Sequence, residues 1–156
     1  IRNVVIEQFE ERNGEGIDDR DKRIIEIMMQ DSKTSFTKIG KELGVSEAAV
    51  RRRIRKLEMM GVIRKFTVVV DPSKIGYKHV AIIGIDSEPD KLIQIAHDLA
   101  GKDFSKKVYI TTGDHMIMIE AWARDSVEMT KILQEIGSIN GVRKVCPAII
   151  LDYVKQ

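Results

Sequence analysis

Hydrophobic positions recur along this chain at two different spacings, and the change comes near residue 76. Ile24, Ile27 and Met28 fall at helical spacing, and the pattern stops at Asp31, Ser32 and Lys33. Phe36, Ile39 and Leu43 resume it, and Val50, Ile54 and Leu57 form a third stripe. Three amphipathic helices are expected, the last two joined by a short turn at Gly44 and Val45, which is the helix-turn-helix arrangement. Asp18, Asp19 and Asp21 suit the positive end of the first helix dipole. Ser46 is a suitable N-cap for the third helix, whose span of residues 46–60 ends before the permissive Gly61. Gly40, inside the second helix, costs about 1 kcal/mol relative to Ala and fits a close approach by a neighbouring helix.

Residues 62–70 are rich in β-branched side chains and read as an extended strand, closed by Asp71 and Pro72. The turn composition of residues 71–76 marks a domain boundary. Beyond it the pattern gives a strand at 79–87, a helix at 89–100 carrying Leu92, Ile95, Ala96 and Leu99 inward, and strands at 108–112 and 115–123. Gly113 and Asp114 between those strands signal a two-residue hairpin. Asp125 starts another helix, with Glu128 placed for a capping box and Met129, Ile132, Leu133 and Ile136 inward. A last strand runs over 142–153, with Pro147 marking a bulge or a sheet edge. This βαββαβ order predicts an α+β chain whose second domain is ferredoxin-like, with helices on one face of an antiparallel sheet.

The strands, however, are apolar on both faces. Ile117, Ile119 and Ala121 alternate with Met116, Met118 and Trp122, and Val80 and Ile82 alternate with Ala81, Ile83 and Ile85. Helices cover one face, so the other is expected to pair with the identical sheet of a second copy in a homodimer. Glu120, on the methionine face, then needs a partner.

Composition is that of a globular protein, 43% hydrophobic and 32% charged, with 5% aromatic residues, so aliphatic side chains must fill the cores. A net charge of +2 over 156 residues is close to balance, and an argument for nucleic acid must rest on local clustering. Between residues 46 and 65 that clustering is present: Arg51, Arg52, Arg53, Arg55, Lys56, Arg64 and Lys65 face only Glu47 and Glu58. A cationic helix face alone is more often just solvated. Placed after a short glycine turn, on a helix about 22 Å long, it predicts a reader of the DNA major groove.

Other chemistry is sparse. Cys146 is the only cysteine, which excludes an intrachain disulfide and any thiolate cluster. His79, His97 and His115 lack the spacing and companions of a metal site, so structural or surface roles are expected for them. No nucleophile–base pair or paired carboxylates stand out, and a non-enzyme is expected. No apolar run approaches the roughly 20 residues of a membrane span, which with the lack of a signal-peptide core points to the cytoplasm. Residues 1–16 carry Val4, Val5, Ile6 and Phe9 and then a polar joint, and read as a leader or a subunit-packing arm.

The run of Ile39, Gly40, Leu43, Gly44, Val45 and Ser46, followed in register by Val50, Arg53, Ile54, Leu57, Glu58, Gly61, Val62 and Ile63 and then by Asp71, Pro72 and Gly76, resembles the Lrp/AsnC family of bacterial and archaeal transcription regulators. The Thr112, Gly113, Asp114 turn is a second, less specific match, and the resemblance covers residues 18–153. It implies a winged-type helix-turn-helix DNA-binding domain at residues 17–61 and a β-strand tether and linker at 62–76. It also implies a domain at 77–156 that dimerises, associates further up to an octamer, and senses an amino acid. Family members usually carry Ala where Gly40 stands and lack a leader as long as residues 1–16.

On that footing Glu47, Ala48, Arg51 and Arg52 are expected to meet base edges of double-stranded DNA, and Thr37, Arg53, Arg55 and Lys56 its phosphates, with Ser46 at the helix start. Arg53 lies close to the buried stripe and could instead pair internally. Thr112, Gly113, Asp114 and His115 offer an amino acid hydroxyls, a backbone open to close approach and a carboxylate for its ammonium group. The plainer reading of this hairpin is a type II′ turn alone. Asp125 and Ser126 are expected to serve the carboxylate end through free helix N–H groups. Two further readings exist: an enzyme resembling the siroheme decarboxylases, which share this two-domain plan but have no need of an exposed arginine face, and an architectural DNA-binding protein of little sequence preference.

Overall fold

The computed structural model describes residues 16–155, so the leader or arm expected at residues 1–16 lies, apart from Gly16, outside the described residues. The chain divides into two compact units between Val68 and Val69.

In the first unit, helices α1 (Asp19–Gln30), α2 (Phe36–Leu43) and α3 (Glu47–Met59) follow the three hydrophobic stripes. Each starts on a side chain that accepts an unpaired backbone N–H: Asp18 for α1, Ser35 for α2 and Ser46 for α3. At α1 the exchange is reciprocal, because Asp21 also accepts from the Asp18 N–H at 3.2 Å. Ile24, Ile27, Ile39, Val50 and Ile54 form the core, with Met28, Phe36, Leu43, Val45 and Ile63 packed around it. The α2–α3 turn is tight. A Cβ on Gly40 would stand 2.6 Å from the Val45 carbonyl oxygen, so the close approach that this glycine permits is by the turn itself and not by another helix.

No strand lies among the described residues of this unit. Residues 62–70 join no ladder, and Phe66, Val68 and Val69 are exposed. The strand expected there, and with it a wing, is therefore not formed within one chain. β-branched composition favours extended backbone, but a strand also requires a neighbour to pair with.

The second unit opens on a 3-10 turn, Pro72–Ile75, capped by Asp71 and closed by Gly76 in the left-handed region at φ 99°. Then come β1 (His79–Ser87), α4 (Leu92–Ala100), β2 (Ser105–Ile110), β3 (Ile117–Ala123), α5 (Ser126–Ser138) and β4 (Val142–Ile149). The sheet order is β2-β3-β1-β4 with every neighbouring pair antiparallel, the ferredoxin-like arrangement. Both helices lie on one face, where Ala81, Ile83, Ile85, Ile117, Ile119, Ala121 and Ala123 meet Ile95, Leu99, Met129, Ile132 and Ile136.

Several boundaries differ from the pattern. β2 begins at Ser105, because pairing with Ala121 and Glu120 carries the ladder, across an irregularity, past the polar Lys106 and Lys107. β4 stops at Ile149, and Pro147 sits in it as a member of an edge strand. The hairpin is also longer than two residues. The Thr111 N–H donates to the Met116 carbonyl at 2.9 Å, which leaves residues 112–115 in the loop, and Gly113 does not take the positive φ that a type II′ turn requires.

No helix of this unit lies on the other sheet face, which carries Val80, Ile82, Met118 and Trp122, with Ile82 42% and Tyr109 52% exposed. Glu120 finds its partners within the chain: the Trp122 indole N–H donates to it at 2.8 Å, and the Lys107 ammonium stands 3.4 Å away.

Candidate functional site

Val50, Ile54 and Leu57 are buried, which fixes the rotation of α3 about its own axis. Glu47, Ala48, Arg51, Arg52 and Arg55 are consequently exposed together on the opposite side. Ser46 spends its hydroxyl oxygen on the Ala49 N–H at 3.1 Å, so its first role is the cap.

The cations of α3 are not equivalent. Arg53 donates to Asp18 and to Asp21, each at 2.7 Å, and Lys56 stands 3.2 Å from the other Asp21 oxygen and also reaches the Gly16 carbonyl. Asp21 is completely buried. Burial pushes its carboxyl up, but hydrogen bonds from Arg53, from the Asp18 N–H and from Lys56 outweigh that and hold it below the ordinary aspartate range. Asp18 is likewise held low, chiefly by the Asp21 N–H and then by Arg53. Arg53 and Lys56, expected to serve phosphates, are thus committed to a buried carboxylate. The reason is phase along the helix: Arg53 flanks Ile54, Lys56 flanks Leu57, and both side chains reach the start of α1.

At the other end of α3, Glu47 accepts from the Thr37 hydroxyl and from Arg51, both at 2.8 Å, and these bonds, Thr37 first, lower its carboxyl. The Arg51 guanidinium also lies over the Phe36 ring, 5.2 Å from its centroid. Thr37, Glu47 and Arg51 therefore form one surface unit spanning α2 and α3. Arg52 and Arg55 make no ion pair or hydrogen bond through their side chains among the described residues. Hydrophobic periodicity gives no sign of Phe36 as the support of Arg51. Nor does it mark Asp21 as an anchor, although an acidic residue with hydrophobic neighbours on its helix face is the available hint.

In the second unit the expected effector residues do not converge. Thr112, Gly113 and Asp114 are exposed in the β2–β3 hairpin, whereas Asp125 and Ser126 follow the far end of β3. Seven strand residues at about 3.4 Å each put roughly 24 Å between the two groups, far beyond the span of one amino acid. The α5 N-terminus is moreover already capped. Asp125 accepts from the Glu128 N–H at 2.8 Å, and Glu128 accepts from Arg124, not from Asp125 as a capping box would have it. A ligand carboxylate there would meet the Asp125 charge. His115 is half-buried and turns away from the loop tip to Asp86, 3.2 Å from its Nδ1. Among the described residues no three His, Cys, Asp or Glu side chains gather as a metal site, and no helix is long and apolar enough to cross a membrane.

Residues 17–58 match the AsnC-type helix-turn-helix domain. Over 140 residues the chain is 48% identical to the HTH-type transcriptional regulator LrpA of Pyrococcus horikoshii, covering 89% of this chain and 99% of that protein. The LrpA of Pyrococcus abyssi is 46% identical over the same length and coverage. Among solved structures, E. coli AsnC superposes with a TM-score of 0.77 at 25% identity, covering 90% of this chain and 95% of its own. A transcriptional regulator from Neisseria meningitidis, solved as an L-Met complex, superposes with a TM-score of 0.79 at 17% identity, covering 90% and 93%.

The Asp21 cluster has a pH signature. Its folded carboxyl titrates below the unfolded value, so its contribution to stability is complete above about pH 4 and is lost as pH falls through the depressed folded value. Asp21→Asn is expected to destabilise the helical unit by about 3 kcal/mol at neutral pH, the low end for a broken buried pair because Lys56 and Arg53 keep part of their water. It should also flatten the acid dependence of amide-exchange protection in α1 and α3. Unchanged protection at neutral pH would contradict the role given to Asp21.

Proposed function

We propose that this chain, which belongs to the Lrp/AsnC family of transcription regulators, recognises specific duplex DNA sequences with the outer side of α3 and responds to an amino acid through its second unit. Transcription regulation by a DNA-binding helix-turn-helix domain is the function of the family; the residue assignments and the ligand are the proposal. One observation carries it. Arg52 and Arg55 stand exposed on the side of α3 opposite its buried stripe, with no side-chain partner among the described residues, while the inward cations are held by Asp21.

Arg52 and Arg51, with Ala48 and Glu47, face base edges, and Arg55 and Thr37 face phosphates. Arg51 must exchange Glu47 for a base, so Arg52 contributes more of the discrimination. A bidentate arginine on guanine is worth roughly 1–3 kcal/mol. Arg52→Ala is therefore expected to lower affinity for a selected operator by that amount and to leave random DNA nearly untouched. Arg55→Ala should weaken both alike and flatten the salt slope by about one unit. Quantitative gel shifts over a salt series distinguish the two, and equal losses on operator and random DNA for both variants would overturn this division.

A symmetric pair of chains is supported by the open sheet face and by the exposed apolar residues of the unladdered segment 62–70. Such a pair reads a pseudo-palindrome with half-sites about one helical turn apart or a multiple of it. Ile82→Glu places an unpartnered charge at the centre of that face and is expected to convert a dimer, or a larger assembly, into monomers in light scattering. A wild-type chain that is monodisperse and monomeric at micromolar concentration would exclude the pairing.

For the amino acid, the supporting features are the exposed Thr112, Gly113 and Asp114 and the L-Met in the Neisseria regulator of the same fold. The Asp114 carboxylate receives the α-ammonium group. Calorimetry across the twenty amino acids is expected to find at least one that binds, and Asp114→Asn to weaken it about tenfold or more, as for a lost hydrogen bond to a charged group. Silence for all twenty would remove the effector from this chain.

A further inference from the structure

Gly84 lies in the middle of β1, on the open face of the sheet, where a glycine weakens a strand unless something must come close to the backbone. The something is His115. A Cβ built on Gly84 would overlap the imidazole, meeting its Cδ2, Cγ and Nε2, so the ring lies across the position where every other residue type carries a side chain. The same ring reaches two residues further along β1, with Nδ1 3.2 Å from the Asp86 carboxylate. Its main chain is held as well, since the Thr111 hydroxyl donates to the His115 carbonyl. Met118 and Cys146 flank Gly84 across the two neighbouring strands, and Lys144 stands opposite Asp86.

We infer that His115 is the positioning residue of the β2–β3 hairpin: its imidazole, seated in the notch left by Gly84 and tied to Asp86, latches the loop onto β1 and so sets where Thr112, Gly113 and Asp114 are displayed. His115 then makes no contact with the ligand. The hairpin closes β2 against β3, but β1 lies on the far side of β3 from β2. The β3–β1 ladder ends at Ile117 opposite Ile85, so residues 112–116 lie beyond any backbone pairing with β1, and the latch extends the tie to the central strand into the loop. It also puts the imidazole on the face where a second copy is proposed to dock, so loop and face share one side chain. The consequence for ligand binding rests on the hairpin being the amino-acid site; the latch itself does not.

The test is a double-mutant cycle in the full chain, with Gly84→Ala, His115→Ala and the two combined, read first without any ligand. Amide exchange at Thr111 and Met118 is expected to speed up at least about tenfold in each single variant while the melting temperature of the second unit moves little. The added methyl displaces the ring in one case, and the ring is absent in the other. In the double variant the two effects should not add, because the methyl then occupies space that the ring has left. Should Gly84→Ala not fold, Asp86→Asn replaces it, with the same acceleration expected and again none added on top of His115→Ala. Unchanged exchange in His115→Ala, or additive effects in the cycle, would overturn the latch. The amino-acid arm is separate: altered exchange in a protein that binds no amino acid keeps the latch and removes the effector site, whereas full affinity in His115→Ala with unchanged exchange does the reverse.

Discussion

A carboxylate without access to water has to be met by cations, and at Asp21 those cations come from α3. Arg53 takes one oxygen and Lys56 the other, so the two side chains nearest the edge of the α3 apolar stripe are drawn towards α1. Val50, Ile54 and Leu57 set the rotation of the helix by burial; Asp21 sets it again by charge, from a second element. The two constraints agree, and their joint result is that Arg52 and Arg55 are exposed on the outer side of α3, with Arg51 beside them over Phe36 and on Glu47. A hydrophobic stripe by itself tolerates slippage between similar side chains, whereas a buried ion pair fails with a small displacement, which is how a charge can specify an orientation that packing alone leaves loose.

The second unit obeys a different constraint. Its sheet has one face closed by α4 and α5 and another, apolar and without a helix, on which a few polar groups already have partners inside the chain: Glu120 with Trp122 and Lys107, His115 with Asp86. A face whose polar groups are already partnered can be buried by a second copy with fewer of them left unpaired. The hairpin proposed to take an amino acid hangs from the edge of that same face, so the proposed pairing and ligand surfaces adjoin each other on the second unit, while the proposed DNA surface lies on the first.

Much of this was legible in the residues, for reasons that also explain what was not. The α3 stripe, the caps at Ser46 and Asp125, and the two-sided apolar pattern of β1 and β3 depend on local periodicity and local hydrogen bonding, which sequence records directly. The roles of Asp21, Arg53 and Lys56 do not: an acidic residue in a first helical turn looks the same whether its charge faces water and the dipole or is buried under another helix. Residues 62–70 have the composition of a strand, but composition does not name the strand that pairs with them. Gly113 and Asp114 suggested a two-residue turn because turn propensity says nothing about where the ladder ends, which is set by Thr111 and Met116. Asp125 and Ser126 looked close to the hairpin because the extended strand between them, which carries them to the opposite end of the sheet, is short when counted in residues. Gly84 and Asp86, which hold His115, gave no signal at all within a strand otherwise read by its alternation.

The central claim is that α3 presents some arginines to DNA and keeps another for the protein. Arginine side-chain NMR signals, followed in the full chain during titration with a duplex obtained by selection from random sequence, test it most directly. The account predicts that the Nε–H resonances of Arg51, Arg52 and Arg55 shift on binding, while that of Arg53 stays at its free-protein position, protected from exchange by Asp18 and Asp21. Movement of Arg53 on DNA binding, or no movement of Arg52 and Arg55, would contradict it.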